Sequence, residues 1–191
     1  MAPTELSLRS YEPRDDEAIW ALHEWAMEET DVNIADIPGT EDLHTVETAY
    51  LETGGAFVVG TVNSEQPLDE QSTAAEQSAY TESDLATDDG LIVTMGGIVP
   101  NHAGHSDERD RPGAAEVHRM RVAPTHQRRG YGKQLLSELE QRAAAAGFET
   151  LLATTATRQS AALAFYAAQG YARTGSSTAG SYELVHFEKR L

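Results

Sequence analysis

Apolar and polar positions alternate from Glu5 to Ser10, a period of two that predicts a first strand. Asp15, Asp16 and Glu17 then set carboxylates at a helix start, where the helix dipole favours them, and Ile19, Leu22, Trp25 and Ala26 form the apolar face of that helix. A loop from Ile34 to Thr40, holding Pro38-Gly39, leads to a second predicted helix from Glu41 to Glu52, ended by Gly54-Gly55. Ala56 to Val62 and Leu91 to Val99 read as strands, and so does Glu116 to Val122. Leu135, Leu136, Leu139 and the alanines at 143 to 146 recur at helical spacing. Leu151 to Thr155 is a strand and Ser160 to Gln169 a helix, and two last strands lie near Tyr171 to Thr174 and Tyr182 to Lys189. No internal repeat is present.

Two segments break this rhythm. Residues 63–90 hold eight acids, no base and much Ser, Thr, Gln and Ala, the composition of a solvated insertion. Asn101 to Gly113 is a second polar loop. Within the strand before Val122, Val117 is out of phase with Met120 and Val122, so alternation fails across His118-Arg119. A β-bulge there restores the phase, and bulges recur beside active sites because they re-aim groups.

At 191 residues the chain is most simply one domain with a full core. It has no cysteine, which excludes disulfides, thiolate metal sites and thiol nucleophiles. No run approaches the roughly 20 apolar residues of a membrane span, and the N-terminus lacks the basic and apolar regions of a secretion signal. A cytoplasmic location is therefore expected. The net charge is −17, and only Lys133 and Lys189 are lysines. Such a surplus, with so few lysines, resembles the carboxylate-rich proteins of salt-in halophiles. The charge is unevenly placed: from Val117 to Tyr182 eight bases face three acids, leaving −22 for the rest. A basic island around a glycine turn suits one anion, whereas nucleic acid needs a broad positive face.

That turn is Gln127-Arg128-Arg129-Gly130-Tyr131-Gly132, between a predicted strand and a predicted helix. There the backbone N–H groups of a helix N-terminus converge and the dipole favours an anion. Gly130 and Gly132 let phosphate oxygens approach, and Arg128, Arg129 and Lys133 add charge at the rim. Neither a P-loop nor a dinucleotide fingerprint is present.

Gln-x-x-Gly-x-Gly after a strand ending Arg-Val-Ala-Pro resembles the acetyl-CoA-binding motif of the GNAT superfamily of N-acetyltransferases. Gln159-Ser160-Ala161-Ala162-Leu163-Ala164-Phe165-Tyr166, running on to Gly170-Tyr171, is similar to a second block of that family, with Gln159 where the family usually has Asn. The resemblance covers residues 115–174. It implies an α/β fold with a mixed, mostly antiparallel sheet of about seven strands, splayed at its centre and flanked by about four helices. It also implies acetyl-CoA as co-substrate and no metal. Met120, Arg121 and Val122 would pair with the pantetheine arm, residues 127–133 would hold the pyrophosphate, and Gln159 and Ala162 would complete the cofactor site.

A thioester is already activated, so the chemistry needs a positioned amine, a base and a proton for the leaving thiolate. Glu116 is the first candidate base, because Ala115-Glu116 stands before the glycine turn as a base glutamate does in the family's histone-acetylating branch. That branch is a local analogy and does not make histones the substrate. His118 is the next candidate. Tyr166 stands where the family places a tyrosine near the CoA sulfur. His102 and His105 lie near Asp107 and Glu108, but histidines in a polar loop are ordinarily solvated. Trp20, Trp25 and Tyr50 are candidates for the acceptor pocket or the core. The resulting expectation is acetyl transfer to a primary amine of a small molecule or peptide, with no nucleic-acid or membrane partner and room for a homodimer. An inactive acyl-CoA-binding module is the alternative.

Overall fold

The structure is a computed structural model that describes residues 5–28, 40–63, 78–101 and 111–191. Its strands are β1 (Ser7–Ser10), β2 (Ala56–Val62), β3 (Ala86–Thr87), β4 (Gly90–Pro100), β5 (Ala114–Val122), β6 (Thr150–Ala156), β7 (Ala172–Ala179) and β8 (Tyr182–Arg190). Its α-helices are α1 (Asp16–Glu28), α2 (Tyr131–Ala145) and α3 (Ser160–Ala168). The strands form one sheet in the order β1-β2-β4-β5-β6-β8-β7, with β3 added on β4. The pairs β1–β2, β3–β4, β6–β8 and β7–β8 are antiparallel, and β5–β6 is parallel. A parallel pair requires a crossover, and α2 supplies it. The mixed, mostly antiparallel α/β arrangement is the expected one.

Contacts group the chain into two compact units, the first being Met1–Val46, Phe57–Gly96 and Arg119–Glu138, the second Glu47–Ala56, Gly97–His118 and Leu139–Leu191. In the first unit the entry to α1 is fixed by Asp15, which is fully buried. Its carboxylate takes Arg9 in two bonds of 2.7 and 2.8 Å and accepts the Glu12 N–H at 2.9 Å. Ile19, Leu22, Trp25 and Ala26 are buried as the helical spacing predicts, so Trp25 belongs to the core. Trp20, only partly buried, stacks on His44 with ring centroids 4.2 Å apart.

His23, on the same helix, is fully buried, and neither ring nitrogen has a hydrogen-bond partner among the described residues. Burial, reinforced by the charges of Arg121 and Arg119, pushes the imidazole down to about 3. The unfolded chain protonates this histidine near its ordinary value of about 6.5 while the folded chain refuses the proton until about 3. Its contribution to stability is thus complete above that window and lost as the pH falls through it. His23→Leu breaks no hydrogen bond to the ring and keeps the volume, so its stability at neutral pH should match the parent. At about pH 5 the variant should be more stable by roughly 2 kcal/mol. Urea titrations at both pH values check this, and equal acid sensitivity would exclude His23 as the cause.

In the second unit β6 pairs along its whole length with β8, from Thr150↔Arg190 to Ala156↔Leu184. Its register with β5 is shorter, from Ala114↔Thr150 to Val117↔Ala153. Leu151, Leu152, Ala153, Val185 and Phe187 lie in the core. Lys189 reaches both oxygens of Glu140 at 2.9 Å, and the Tyr171 hydroxyl donates to the same carboxylate at 3.1 Å. Burial, with Glu140 beside it, pushes the Tyr171 phenol well up.

Three expectations change. The predicted helix from Glu41 to Glu52 is a 3-10 turn at Thr40–His44 followed by a π turn at Glu47–Leu51. Thr45, Val46 and Thr48 are β-branched and favour an α-helix poorly. Changing the winding instead buries Leu43, Val46 and Tyr50. The first strand starts at Ser7 rather than Glu5. Part of the predicted insertion 63–90 is also structured: residues 78–90 include a 3-10 turn at Glu82–Leu85, with Leu85 fully buried, and strand β3. Residues 64–77 of it lie outside the described residues, as do 102–110 of the second loop and most of the Ile34 to Thr40 loop.

Candidate functional site

The glycine turn lies in the first unit, between β5 and α2. Arg128 and Gly130 both have positive φ, +62° and +86°, so the backbone reverses twice within three residues. Such left-handed steps aim successive N–H groups at one spot. Gly130 accepts the first helical bond, from the Gln134 N–H at 3.1 Å, and so caps α2. A helix leaves its first N–H groups without carbonyl partners, and those of α2 open at this turn. Gln127, Arg128, Arg129 and Lys133 are exposed around it, while Tyr131 is buried and Gly132 partly so. A side chain placed on Gly130 would meet open space. The turn therefore has the charge, dipole and access that a pyrophosphate needs.

Its anchors come from the supposedly loose acidic segment. Thr125 donates to Glu82 at 2.7 Å and meets His126 Nδ1 at 3.0 Å, and His126 stacks on Tyr131. Burial pushes the His126 imidazole down, against the pull of Glu82. Arg129 turns back to the Thr125 carbonyl at 3.1 Å. Glu82 had no signal in the sequence beyond its charge.

The anomaly in β5 is a real kink: Arg119 has φ +54°, an uncommon value for a residue with a side chain. Its Nε donates to both oxygens of Asp42 at 3.0 and 2.9 Å, in a pair with only 8% and 16% of the side chains exposed. Beyond the kink, Thr94 Oγ1 donates to the Arg121 carbonyl at 2.7 Å and the Ala123 N–H to the Val93 carbonyl at 2.8 Å. These bonds hold the Met120-Arg121-Val122 backbone on β4. The Arg121 guanidinium also donates to the Met120 carbonyl at 2.8 Å.

Glu116 lies in the second unit and is buried, with 5% exposed. Thr154 Oγ1 donates to its Oε1 at 2.9 Å, and Asn101 Nδ2 approaches its Oε2 at 3.4 Å. Asn101 is itself held by the Arg111 N–H at 2.6 Å. Thr154 Oγ1 also meets His186 Nδ1 at 3.2 Å, and His186 Nε2 meets Ser177 Oγ at 2.9 Å. Asn101, Thr154 and His186 were not among the sequence candidates. Only strand alternation hints at them, because Thr154 and His186 stand opposite each other in register. His118 is half-buried, with its ring edge-on to Tyr50 at 6.5 Å.

Tyr166 is also buried, at 7% exposed, in α3. Its ring packs with Phe165, Tyr171 and Phe187 at centroid distances of 5.5, 5.4 and 5.7 Å. Phe187 follows His186 along β8, and neighbouring residues of a strand point to opposite faces. Tyr166 therefore packs on the face of β8 opposite the one that carries His186, Thr154 and Glu116. Gln159 precedes α3, and its Oε1 accepts from Thr155 Oγ1 at 2.6 Å. Ala162 is partly exposed on the same helix. No cluster of three metal-ligating side chains exists among the described residues, and His102 and His105 lie outside them. Nor is any described helix long and apolar enough to cross a membrane.

Comparison with known proteins adds the following. The profile of the acetyltransferase (GNAT) family matches residues 5–171. An IAA acetyltransferase from Azospirillum brasilense is 35% identical over 91 residues, which are 48% of this chain and 54% of that protein. The chain thus spans about half the length of that curated relative. Among solved structures, a GNAT-family acetyltransferase from Staphylococcus aureus superposes with a TM-score of 0.68 at 13% identity, over 97% of this chain and 99% of the other. A Salmonella typhimurium protein solved with its cofactor acetyl-CoA gives 0.64 at 17% identity, over 97% and 93%.

Proposed function

Since this chain belongs to the GNAT acetyltransferase family, we propose that it transfers the acetyl group of acetyl-CoA to a primary amine of a small molecule or peptide. The observation that carries the reading is the turn at 127–133, with positive φ at Arg128 and Gly130 and with basic side chains around the start of α2. It supports acetyl-CoA as the donor, held at its pyrophosphate by residues 127–133 and along its pantetheine by the backbone of Met120 to Val122. The Azospirillum brasilense relative supports acetyl transfer without fixing the acceptor class.

In the ternary complex the amine attacks the thioester carbonyl directly. Glu116 takes the proton that the nitrogen loses, and Tyr166 gives one to the departing thiolate. Base and acid lie on opposite faces of the sheet around β6 and β8.

The test is CoA release from acetyl-CoA over a panel of primary amines, with calorimetric titration of CoA beside it. Release should depend on the amine. Gly130→Val forces a β-branched residue to a φ of +86° and sets its side chain in the open space an anion would approach through. It should weaken CoA binding by roughly tenfold or more, the strain of such a position being about 1–3 kcal/mol. Unchanged CoA affinity in a folded variant would remove the reading.

A further inference from the structure

We propose that Thr154 and His186 are positioning residues for Glu116: a one-way chain of hydrogen bonds, Ser177 to His186 to Thr154 to Glu116, holds the carboxylate in one orientation. The inference rests on the reading of Glu116 as base and goes beyond it, because none of the three other residues touches the reacting atoms.

The direction of the chain follows from counting protons. A threonine hydroxyl has one proton, and that of Thr154 is given to Glu116 Oε1 at 2.9 Å. The 3.2 Å contact between Thr154 Oγ1 and His186 Nδ1 must then be donated by the ring, so Nδ1 carries the hydrogen. In a neutral imidazole this leaves Nε2 bare, and it accepts from Ser177 Oγ at 2.9 Å. Every donor thus points towards the carboxylate. A chain of hydrogen bonds aligned in one direction polarises each member and fixes the orientation of the last acceptor.

The local fold explains how the chain is built. Thr154 and His186 are cross-strand partners, and Leu152, two residues before Thr154, is the register partner of Glu116. Glu116, Thr154 and His186 therefore share one face of the sheet. Glu116 and His186 are buried at 5% and 4% exposure and Thr154 is half-buried, which limits competition from water. Other polar and charged groups around the carboxylate are Asn101 on Oε2, His118 two residues along β5, and Arg111, whose guanidinium is taken by Glu188 at 2.8 Å.

The test has an arm that needs no acceptor. Nitrogen-15 spectra of the free protein at about pH 8, where an ordinary imidazole is neutral, should show the His186 ring protonated at Nδ1 and bare at Nε2. In Thr154→Val, which keeps the shape and removes the hydroxyl, that Nδ1–H signal should shift, while Thr154→Ser should preserve it. With the best amine of the panel, Thr154→Val should lower kcat by roughly 10- to 100-fold, the range for a lost hydrogen bond to a charged group. The KM for acetyl-CoA should hold, and Thr154→Ser should restore kcat. A ring protonated at Nε2, or a Thr154→Val enzyme with the parental kcat, overturns the inference. Glu116→Gln separates the two claims: if it abolishes turnover while Thr154→Val changes nothing, the base assignment stands and the chain fails. If Glu116→Gln turns over normally, the base assignment has failed.

Discussion

Replacing Glu116 with glutamine should lower kcat by roughly 10²-fold or more while leaving CoA affinity unchanged, the usual range for a lost general base. The variant keeps the shape of the side chain. Its oxygen still accepts from Thr154 at the shorter of the two contacts, and only the 3.4 Å approach of Asn101 Nδ2 loses its acceptor. What disappears is the ability to take the amine proton. Steady-state kinetics with the active amine, set beside CoA titration, separate this from a binding defect. Tyr166→Phe is the matching probe of the acid. The ring keeps its contacts with Phe165, Tyr171 and Phe187, and only the hydroxyl is lost. If both variants turn over at the parental rate, catalysis rests on positioning and bulk water, and His118 becomes the next residue to change. If neither parent nor variant acetylates any amine yet CoA still binds, the chain is an acyl-CoA-binding module.

Local patterns were legible wherever one residue type has one physical use. The strand-turn-helix at 116–139 could be read because glycines, bases and the apolar period agree, and Gly130 does take the φ that only glycine adopts freely. The broken phase at Val117 announced the kink, which falls at Arg119. What the sequence hid depends on partners far along the chain. Asp42, 77 residues before Arg119, neutralises the kinked arginine. Glu82, 43 residues before Thr125, anchors the glycine turn from a segment that composition describes only as acidic and polar. His186 and Thr154 are ordinary strand residues until the β6–β8 register sets them face to face. The helix predicted over 41–52 failed for a related reason. Its apolar spacing is real, but burying Leu43, Val46 and Tyr50 outweighed the regular α hydrogen bonds.

Melting temperature should rise by roughly 10 °C or more between about 0.1 M and molar KCl, if the acidic surplus is a halophilic adaptation. The net charge of −17 repels itself, and the fold does little to relieve it locally. Glu24 and Glu28 stand one turn apart at the C-terminal end of α1, where the dipole already disfavours carboxylates, and no base occupies that last turn. Neighbouring hydroxyls meet them instead: Tyr80 donates to Glu24 and Ser78 to Glu28 at 2.5 Å. The Tyr80 phenol is pushed up to about 12, chiefly by its bond to Glu24, so it remains a donor at any working pH. Near the entry to α1 one base serves several acids. Arg14 approaches Glu12, Asp88 and Asp89, and Arg9 is shared between Asp15 and Asp89. Salt shortens the screening length from about 10 Å at 0.1 M to about 3 Å at 1 M, which removes most repulsion beyond contact pairs. Glu28→Gln keeps an acceptor for Ser78 and deletes one charge from the α1 end. It should raise the melting temperature at low salt and lose that advantage in molar KCl. A parental melting temperature that is flat or falling with KCl, or a Glu28→Gln gain that persists in molar salt, would make this an ordinary acidic protein whose charge plays no part in its stability.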